Sequence, residues 1–344
     1  MKALITGGAG FVGRHVCARL EKMGYAVTIV DNFYPGAGCV EPDRWMDHLQ
    51  PNWSRVRLVR EDCRQFFRHS SPRSDKYDVI VHLAAVVGGR LVIEGDPLAV
   101  GLDLSIDAEF FYWLSRLTYQ PQRIHYFSSS AAYPVAYQRT TGHRALTEEM
   151  IRFHGEFIGQ ADLTYGWSKL TGEYLAQLTH QKHGHHITCY RPFSGYGEDQ
   201  DSTYPFPSIL GRALRGEKPM TVWGSGKQMR DFIHIDDCVE GMLTLGEQVG
   251  DGSAVNLSTG IPTSFNEFAG LAWEAVHGSR DGFAVRNTSA KPEGVFARYG
   301  STELQHQLGF RHRLSLRAGI EHCLNLLRGT GVSAQVPVSA DFSL

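Results

Sequence analysis

Along the first half of the chain, short apolar runs alternate with longer stretches whose apolar positions recur at helical spacing. Residues 2–6, Lys-Ala-Leu-Ile-Thr, form the first run and lead directly into a glycine-rich turn. Residues 12–23 then carry apolar side chains at helical intervals and stop at Gly24, as a helix does. Further buried strands are expected over 26–30, 56–59, 78–83, 123–127 and 187–190, with helices over 104–117 and from Tyr165 to about residue 182. Strands alternating with helices predict an α/β fold built on a doubly wound parallel sheet.

After Arg191-Pro192 the rhythm changes. Residues 195–226 are rich in Pro, Gly and Tyr around a helical stretch at 208–214. A helix after Asp236-Asp237, a strand over 254–257 and an amphipathic helix over 315–327 follow. The final residues, 329–344, are small and polar with no period, which predicts a loose tail. No internal repeat and no low-complexity tract is present.

With 344 residues the chain can bury a large core, as one domain or two intimate ones. A net charge of -2 gives no reason to expect nucleic acid or an anionic membrane as partner. No apolar run approaches the roughly 18 residues of a bilayer span. Met1-Lys2 runs straight into the first strand, leaving no room for a signal peptide, so a cytoplasmic protein is expected. The six cysteines, Cys17, Cys39, Cys63, Cys189, Cys238 and Cys323, are scattered without Cys-x-x-Cys spacing and read as reduced thiols. His180, His183, His185 and His186 cluster at a helix end without a cysteine or carboxylate, and no metal is expected there or elsewhere.

Two groups of residues carry chemistry. Gly7, Gly10 and Gly13 have G-x-x-G-x-x-G spacing between a strand and a helix, with Phe11 and Val12 between the last two glycines. Glycine lets a pyrophosphate approach the backbone, and the helix N-terminus favours its negative charge. Asp31 ends the next strand, roughly 20 residues on, where an acid accepts bonds from the adenosine ribose and repels a 2′-phosphate. That favours NAD over NADP. Asn32 follows it, Asp62 and Cys63 fall where the adenine would lie, and the small Leu83-Ala84-Ala85 would run along the dinucleotide. Tyr165 and Lys169, four residues apart, share one face of a helix.

Taken together these residues resemble the extended short-chain dehydrogenases/reductases, and within them the nucleotide-sugar epimerase and dehydratase branch. The resemblance covers residues 1–328. It rests on the glycine loop, His82-Leu83-Ala84-Ala85, Ser128-Ser129-Ser130, Tyr165 with Lys169, Arg191-Pro192-Phe193 and the run from Arg230 to Asp237. It implies a Rossmann domain over 1–192 and a smaller, mainly substrate-binding lobe over 193–328, interleaved with the sheet. Ser128 and Pro192 would then border the NAD site.

In that family the tyrosine is the acid/base at the sugar 4-hydroxyl, the lysine binds the nicotinamide ribose, and a serine or threonine orients the substrate. The resemblance carries these roles to Tyr165, Lys169 and Ser129, with Ser130 as the alternate. It implies a C4 epimerisation of a UDP- or GDP-linked sugar through a 4-keto intermediate. A 3,5-epimerase or a 4-keto-sugar reductase is the next reading, and a non-catalytic NAD-binding regulator is the reading from another class. Dehydratases carry Asp-Glu after the catalytic serine or threonine, where this chain has Ser130 and Ala131. The 3,5-epimerases carry a cysteine where Ala131 stands, and His143 or His154 is a substitute acid/base or a loop residue. Arg230 and Arg298 match arginines that grip the diphosphate, Val87 borders the sugar, and Ser194 replaces the family's asparagine. Phe206 and Trp223 either wall the base or fill the core. The resemblance further implies a homodimer packed through helices, and the run Phe110-Phe111-Tyr112-Trp113 suits burial there or on the sheet.

Overall fold

A computed structural model describes residues 1–35, 38–70, 76–155, 157–288 and 293–329. Apart from Gly329, the predicted tail lies outside the described residues. Twelve strands follow in order. They are β1 (Lys2–Thr6), β2 (Ala26–Asp31), β3 (Val56–Arg60), β4 (Val79–His82), β5 (Arg123–Phe127) and β6 (Ile187–Pro192). The remainder are β7 (Met220–Trp223), β8 (Met229–Arg230), β9 (Asp251–Leu257), β10 (Thr263–Ser264), β11 (Val285–Thr288) and β12 (Ala297–Arg298).

Seven of them form one parallel sheet in the order β3-β2-β1-β4-β5-β6-β9. Ala3, Leu4 and Ile5 of the central β1 are fully buried, as a strand covered on both faces requires, which is why it reads as an unbroken apolar run. On one face the helices Phe11–Lys22 and Ile235–Gly246 pack over Val16, Leu20, Ile29 and Met242. On the other, Cys63–His69, Asp103–Leu114 and Leu163–His183 cover Leu4, Ile80, Ile124 and Cys189. Phe110, Phe111 and Trp113 fill this second face, and only Tyr112 of the aromatic run is exposed. Strand order reverses between β1 and β4, so their carboxyl ends open the crevice in which doubly wound folds bind ligands.

The remaining strands make a small three-stranded sheet, β10-β8-β12, and the pair β11-β7. With the helices Pro205–Leu214, Phe265–His277 and Leu316–Gly329 they enclose a third core around Phe206, Phe268 and Ile320. Strand β9 returns from this part to the main sheet beside β6. The Phe265–His277 helix has no counterpart in the sequence reading, although Ser264 caps it by accepting the Glu267 N–H at 3.1 Å. The helix expected over 104–117 ends earlier, at Leu114. Among the described residues, no helix is long and apolar enough to cross a membrane, and all six cysteines are free.

Candidate active site

The glycine loop turns tightly, backbone against backbone, between β1 and the Phe11–Lys22 helix. Gly7 sits at φ 72°, and a Cβ there would lie 2.7 Å from the Ala84 nitrogen. A Cβ on Gly13 would lie 2.3 Å from the Gly7 oxygen, so helix and loop meet backbone to backbone. The Phe11–Lys22 helix has Gly10 at its N-cap, no side-chain cap and no acid in its first turn. Its leading amides are therefore left for an anion.

Asp31 is buried behind this loop. One carboxylate oxygen accepts the Ala9 N–H at 2.9 Å and the other the Phe33 N–H at 2.8 Å. The acid thus also braces the loop it was expected to serve from beyond the ribose. Asn32 accepts the Tyr34 N–H, and Asp62 caps the Cys63–His69 helix while pairing with Arg64 at 2.7 Å. Cys63 is buried, and burial pushes its thiol up to about 12. Leu83, Ala84 and Ala85 are half-buried at the end of β4, and Pro192 at the end of β6. Asp31→Ala is expected to weaken NAD binding and to narrow the preference for NAD over NADP. Titration calorimetry with both cofactors checks it, and unchanged values for both would remove Asp31 from the site.

Tyr165 and Lys169 stand on the Leu163–His183 helix as the spacing predicts. Ser129 accepts the Ala131 N–H at 3.1 Å and lowers the pKa of the Tyr165 phenol, whereas Ser130 is buried and Ser128 donates to Glu173. Burial, together with the Asp103 carboxylate, holds the phenol well above its ordinary pKa, and the Ser129 hydrogen bond opposes that rise. The Lys169 ammonium is buried 5.9 Å from the centre of the Tyr165 ring and 5.3 Å from that of Tyr126.

Two buried acids from the neighbouring helix face this lysine. Asp107 accepts the Tyr126 hydroxyl at 2.6 Å and His82 Nε2 at 3.2 Å, while the Thr6 hydroxyl holds His82 Nδ1 at 2.7 Å. Asp103 accepts the Val86 N–H at 2.6 Å, but its Oδ2 is buried without a partner. Burial pushes the Asp103 carboxyl up to about 7 against the pull of Lys169. The folded protein therefore keeps a proton that an unfolded aspartate, at about 3.9, releases. Its contribution to stability falls as pH rises from about 4 to about 7 and is constant above. Asp103→Asn should gain on the parent across that window in denaturation midpoint. A difference independent of pH would show that Asp103 does not titrate there.

A cationic pocket lies at the start of the same helix. Asp162 accepts Arg298 Nη2 at 2.6 Å and Arg90 Nη1 at 3.0 Å. Among the described residues, Arg230 bonds only to carbonyls, those of Met229, Val295 and Glu293. A Cβ on Gly294 would stand 3.3 Å from Arg90 Nη1 and 3.4 Å from Arg230 Nη2, so the guanidiniums converge. Burial, with Arg298 beside it, pulls the Arg230 pKa down to about 9. Sequence reasoning found Arg230 and Arg298 but missed Arg90, which follows Gly88-Gly89 without any motif of its own.

Other expected residues disperse. Phe206 stacks between Tyr196 and Phe268, at 4.2 Å and 5.4 Å, inside the third core and not in the arginine pocket. Trp223 is half-buried at the end of β7 with Arg212 over its ring. Val87 and Ser194 are half-buried in the loops after β4 and β6. His143 packs on Phe296 and Tyr299, and His154 is exposed. Two of the four clustered histidines bind backbone carbonyls, His180 that of His185 and His185 that of Leu114.

Glu173, one turn or so beyond Lys169, was also missed. It holds Arg191 through two bonds, at 2.9 Å and 2.6 Å, and Arg191 reaches Tyr133, whose hydroxyl donates to Asn256 at 2.7 Å. This buried network ties the serine loop to β6 and β9. The spacing Tyr165, Lys169, Glu173 on one helical face was its only signal in the sequence.

A doubly wound sheet with a diphosphate cradle at its first turn and a tyrosine-lysine pair beside it defines a dinucleotide-dependent enzyme of the extended short-chain dehydrogenase/reductase class. The chain belongs to the NAD dependent epimerase/dehydratase family, whose model matches residues 3–258. It is 25% identical to a UDP-N-acetyl-alpha-D-glucosaminuronate decarboxylase of Bacillus cytotoxicus over 334 residues, covering 95% of this chain and 98% of that protein. The fold superposes with a TM-score of 0.78 on UDP-glucose 4-epimerase of Thermotoga maritima, at 22% identity over 96% of this chain and 99% of that one. It also superposes on UDP-glucuronic acid 4-epimerase of Bacillus cereus, solved with UDP-glucuronic acid and NAD, with a TM-score of 0.75, 23% identity and coverage of 96% and 99%. NAD is the cofactor of the family, and the glycine cradle with its uncapped helix suits that group.

Proposed function

We propose that this protein is an NAD-dependent epimerase that inverts C4 of a UDP-linked sugar through a 4-keto intermediate. The observation that carries the reading is the buried Lys169 ammonium 5.9 Å from the centre of the Tyr165 ring, on the helical face the two residues share. Gly7, Gly10 and Gly13 with the amides of Phe11 and Val12 would hold the diphosphate of NAD, and Asp31 its adenosine ribose. Bound NAD supplies a hydride acceptor and donor, together with a positive charge that favours the phenolate.

Tyr165 as phenolate removes the 4-hydroxyl proton, and Ser129 holds that hydroxyl in line. Lys169 keeps the phenolate favoured after the proton arrives and leaves again. Arg90, Arg230 and Arg298 grip the nucleotide diphosphate, which leaves the sugar free to turn and present its other face. The UDP assignment rests on the substrates named for the relatives. The part of the chain after β6 is the substrate lobe in this scheme. Exposed Leu104 and Tyr112 on one helix and Trp167 and Tyr174 on its neighbour support a homodimer through these helices, which sedimentation would measure.

Arg230→Ala should raise KM for the nucleotide sugar roughly tenfold to a hundredfold, the worth of one charge-assisted contact, with kcat changed much less. An unchanged KM would place the diphosphate elsewhere.

The decisive experiment is an NMR time course in deuterated water with UDP-glucose, UDP-glucuronic acid and a panel of GDP-sugars in the presence of NAD. Inversion at C4 without deuterium uptake supports the proposal. Deuterium at C3 or C5 would make the enzyme a keto-enol epimerase. Release of carbon dioxide from the uronic acid would make it a decarboxylase, the activity named for the Bacillus cytotoxicus relative.

A further inference from the structure

On the far side of the glycine-loop helix, the loop after β6 meets the start of the Ile235–Gly246 helix and the body of the Leu316–Gly329 helix. Tyr196 bridges to His234 through the backbone. Three side chains meet there that the nucleotide-sugar chemistry does not use. Glu198, His234 and Cys323 each offer one donor atom, all within 4.8 Å of one another. The side chain of Glu198 is 1% exposed, and His234 and Cys323 are fully buried. Glu198 Oε1 takes His48 Nε2 at 2.6 Å, while Oε2 is buried with no partner. The Tyr196 hydroxyl is buried unpartnered too, its ring edge-on to His234 at 5.3 Å.

We propose that Glu198, His234 and Cys323 form a binding site for a zinc-class divalent ion. The Cys323 Sγ to His234 Nε2 separation is 3.6 Å. That is the edge of a tetrahedron drawn with a sulfur bond of about 2.3 Å and a nitrogen bond of about 2.0 Å. A carboxylate oxygen supplies the third corner, and a water at the fourth would partner the Tyr196 hydroxyl. The sulfur and nitrogen donors select zinc over calcium or magnesium, which take oxygen.

Binding also accounts for its protons. The Cys323 thiol gives its proton to solvent as the metal–sulfur bond forms. His234 Nδ1 accepts the Asp236 N–H at 3.2 Å, so the metal-free ring carries its proton on Nε2. With the ion on Nε2 that proton moves to Nδ1, which must then give up the Asp236 N–H and turn towards the Asp236 carboxylate, whose Oδ2 stands 3.7 Å away in the metal-free arrangement. The ion would link three segments distant in sequence and raise stability in proportion to its free concentration.

The test uses the full chain stripped with a chelator and titrated with cobalt(II), then zinc. Expected are visible bands of tetrahedral intensity, a near-ultraviolet thiolate-to-cobalt band, release of one proton per ion, and one-for-one displacement by zinc. Cys323→Ser should lose the thiolate band, and Asp236→Asn should weaken zinc roughly tenfold to a hundredfold. The absence of a tetrahedral cobalt spectrum in the unaltered protein would overturn the proposal, whatever the variants do. A thiolate band that survives in Cys323→Ser would overturn it as well, by placing the ion at another cysteine.

Discussion

Tyr165→Phe should leave a folded protein that binds NAD and turns over its sugar roughly a hundred- to ten-thousandfold more slowly, the range for loss of a positioned acid/base. The ring stays, so its packing over Lys169 at 5.9 Å stays. Only the phenolic hydroxyl is lost. Two measurements separate the outcomes: kcat from the NMR time course, and NAD affinity from calorimetry. Turnover at the parent rate would mean another group takes the proton, and loss of NAD binding with the activity would mean the phenol is needed for the cofactor site. The environment makes the expectation sharp. Burial, with the Asp103 carboxylate beside it, holds the pKa of the phenol well above its ordinary value.

Glu173→Ala is expected to cost roughly 3–5 kcal/mol of stability, because it leaves the Arg191 guanidinium charged and unpaired in the interior. Arg191 is 3% exposed and donates two of its bonds to Glu173. Ser128 loses its acceptor as well. Urea denaturation monitored at constant m-value measures the change, and Glu173→Gln, which keeps one acceptor, should lose less. A loss below about 1 kcal/mol for the alanine variant would show that water reaches Arg191, in which case the network does not brace the serine loop.

The first turn of the fold was legible because its determinants are local. A buried strand, a glycine loop and an amphipathic helix occupy residues 2–23 in one unbroken pattern, and each glycine meets backbone at short range. The Tyr165 and Lys169 pair was legible for the same reason, since helical spacing alone sets their common face. Phe206 was misleading. An aromatic beside Pro207 suits a base-binding wall, yet the ring closes a core between Tyr196 and Phe268, and nothing in its neighbours in sequence announces those partners. Arg90 and the buried acids Asp103 and Asp107 carried no motif, and on a helix an acid reads as a solvated face until the sheet covers it.

Local order in the chain therefore determined the parallel strands and helices of the first turn, the glycine turn between them, the acid at the end of β2 and the tyrosine-lysine helix, because each is set by periodicity or by backbone sterics within a few residues. Only the tertiary structure decided which serine meets Tyr165, which arginines converge around Asp162, and that Glu198, His234 and Cys323 share one buried space. Those arrangements depend on charges and donors brought together from segments tens to hundreds of residues apart, and burial, which sets their strength, exists only once the sheet has been covered on both faces.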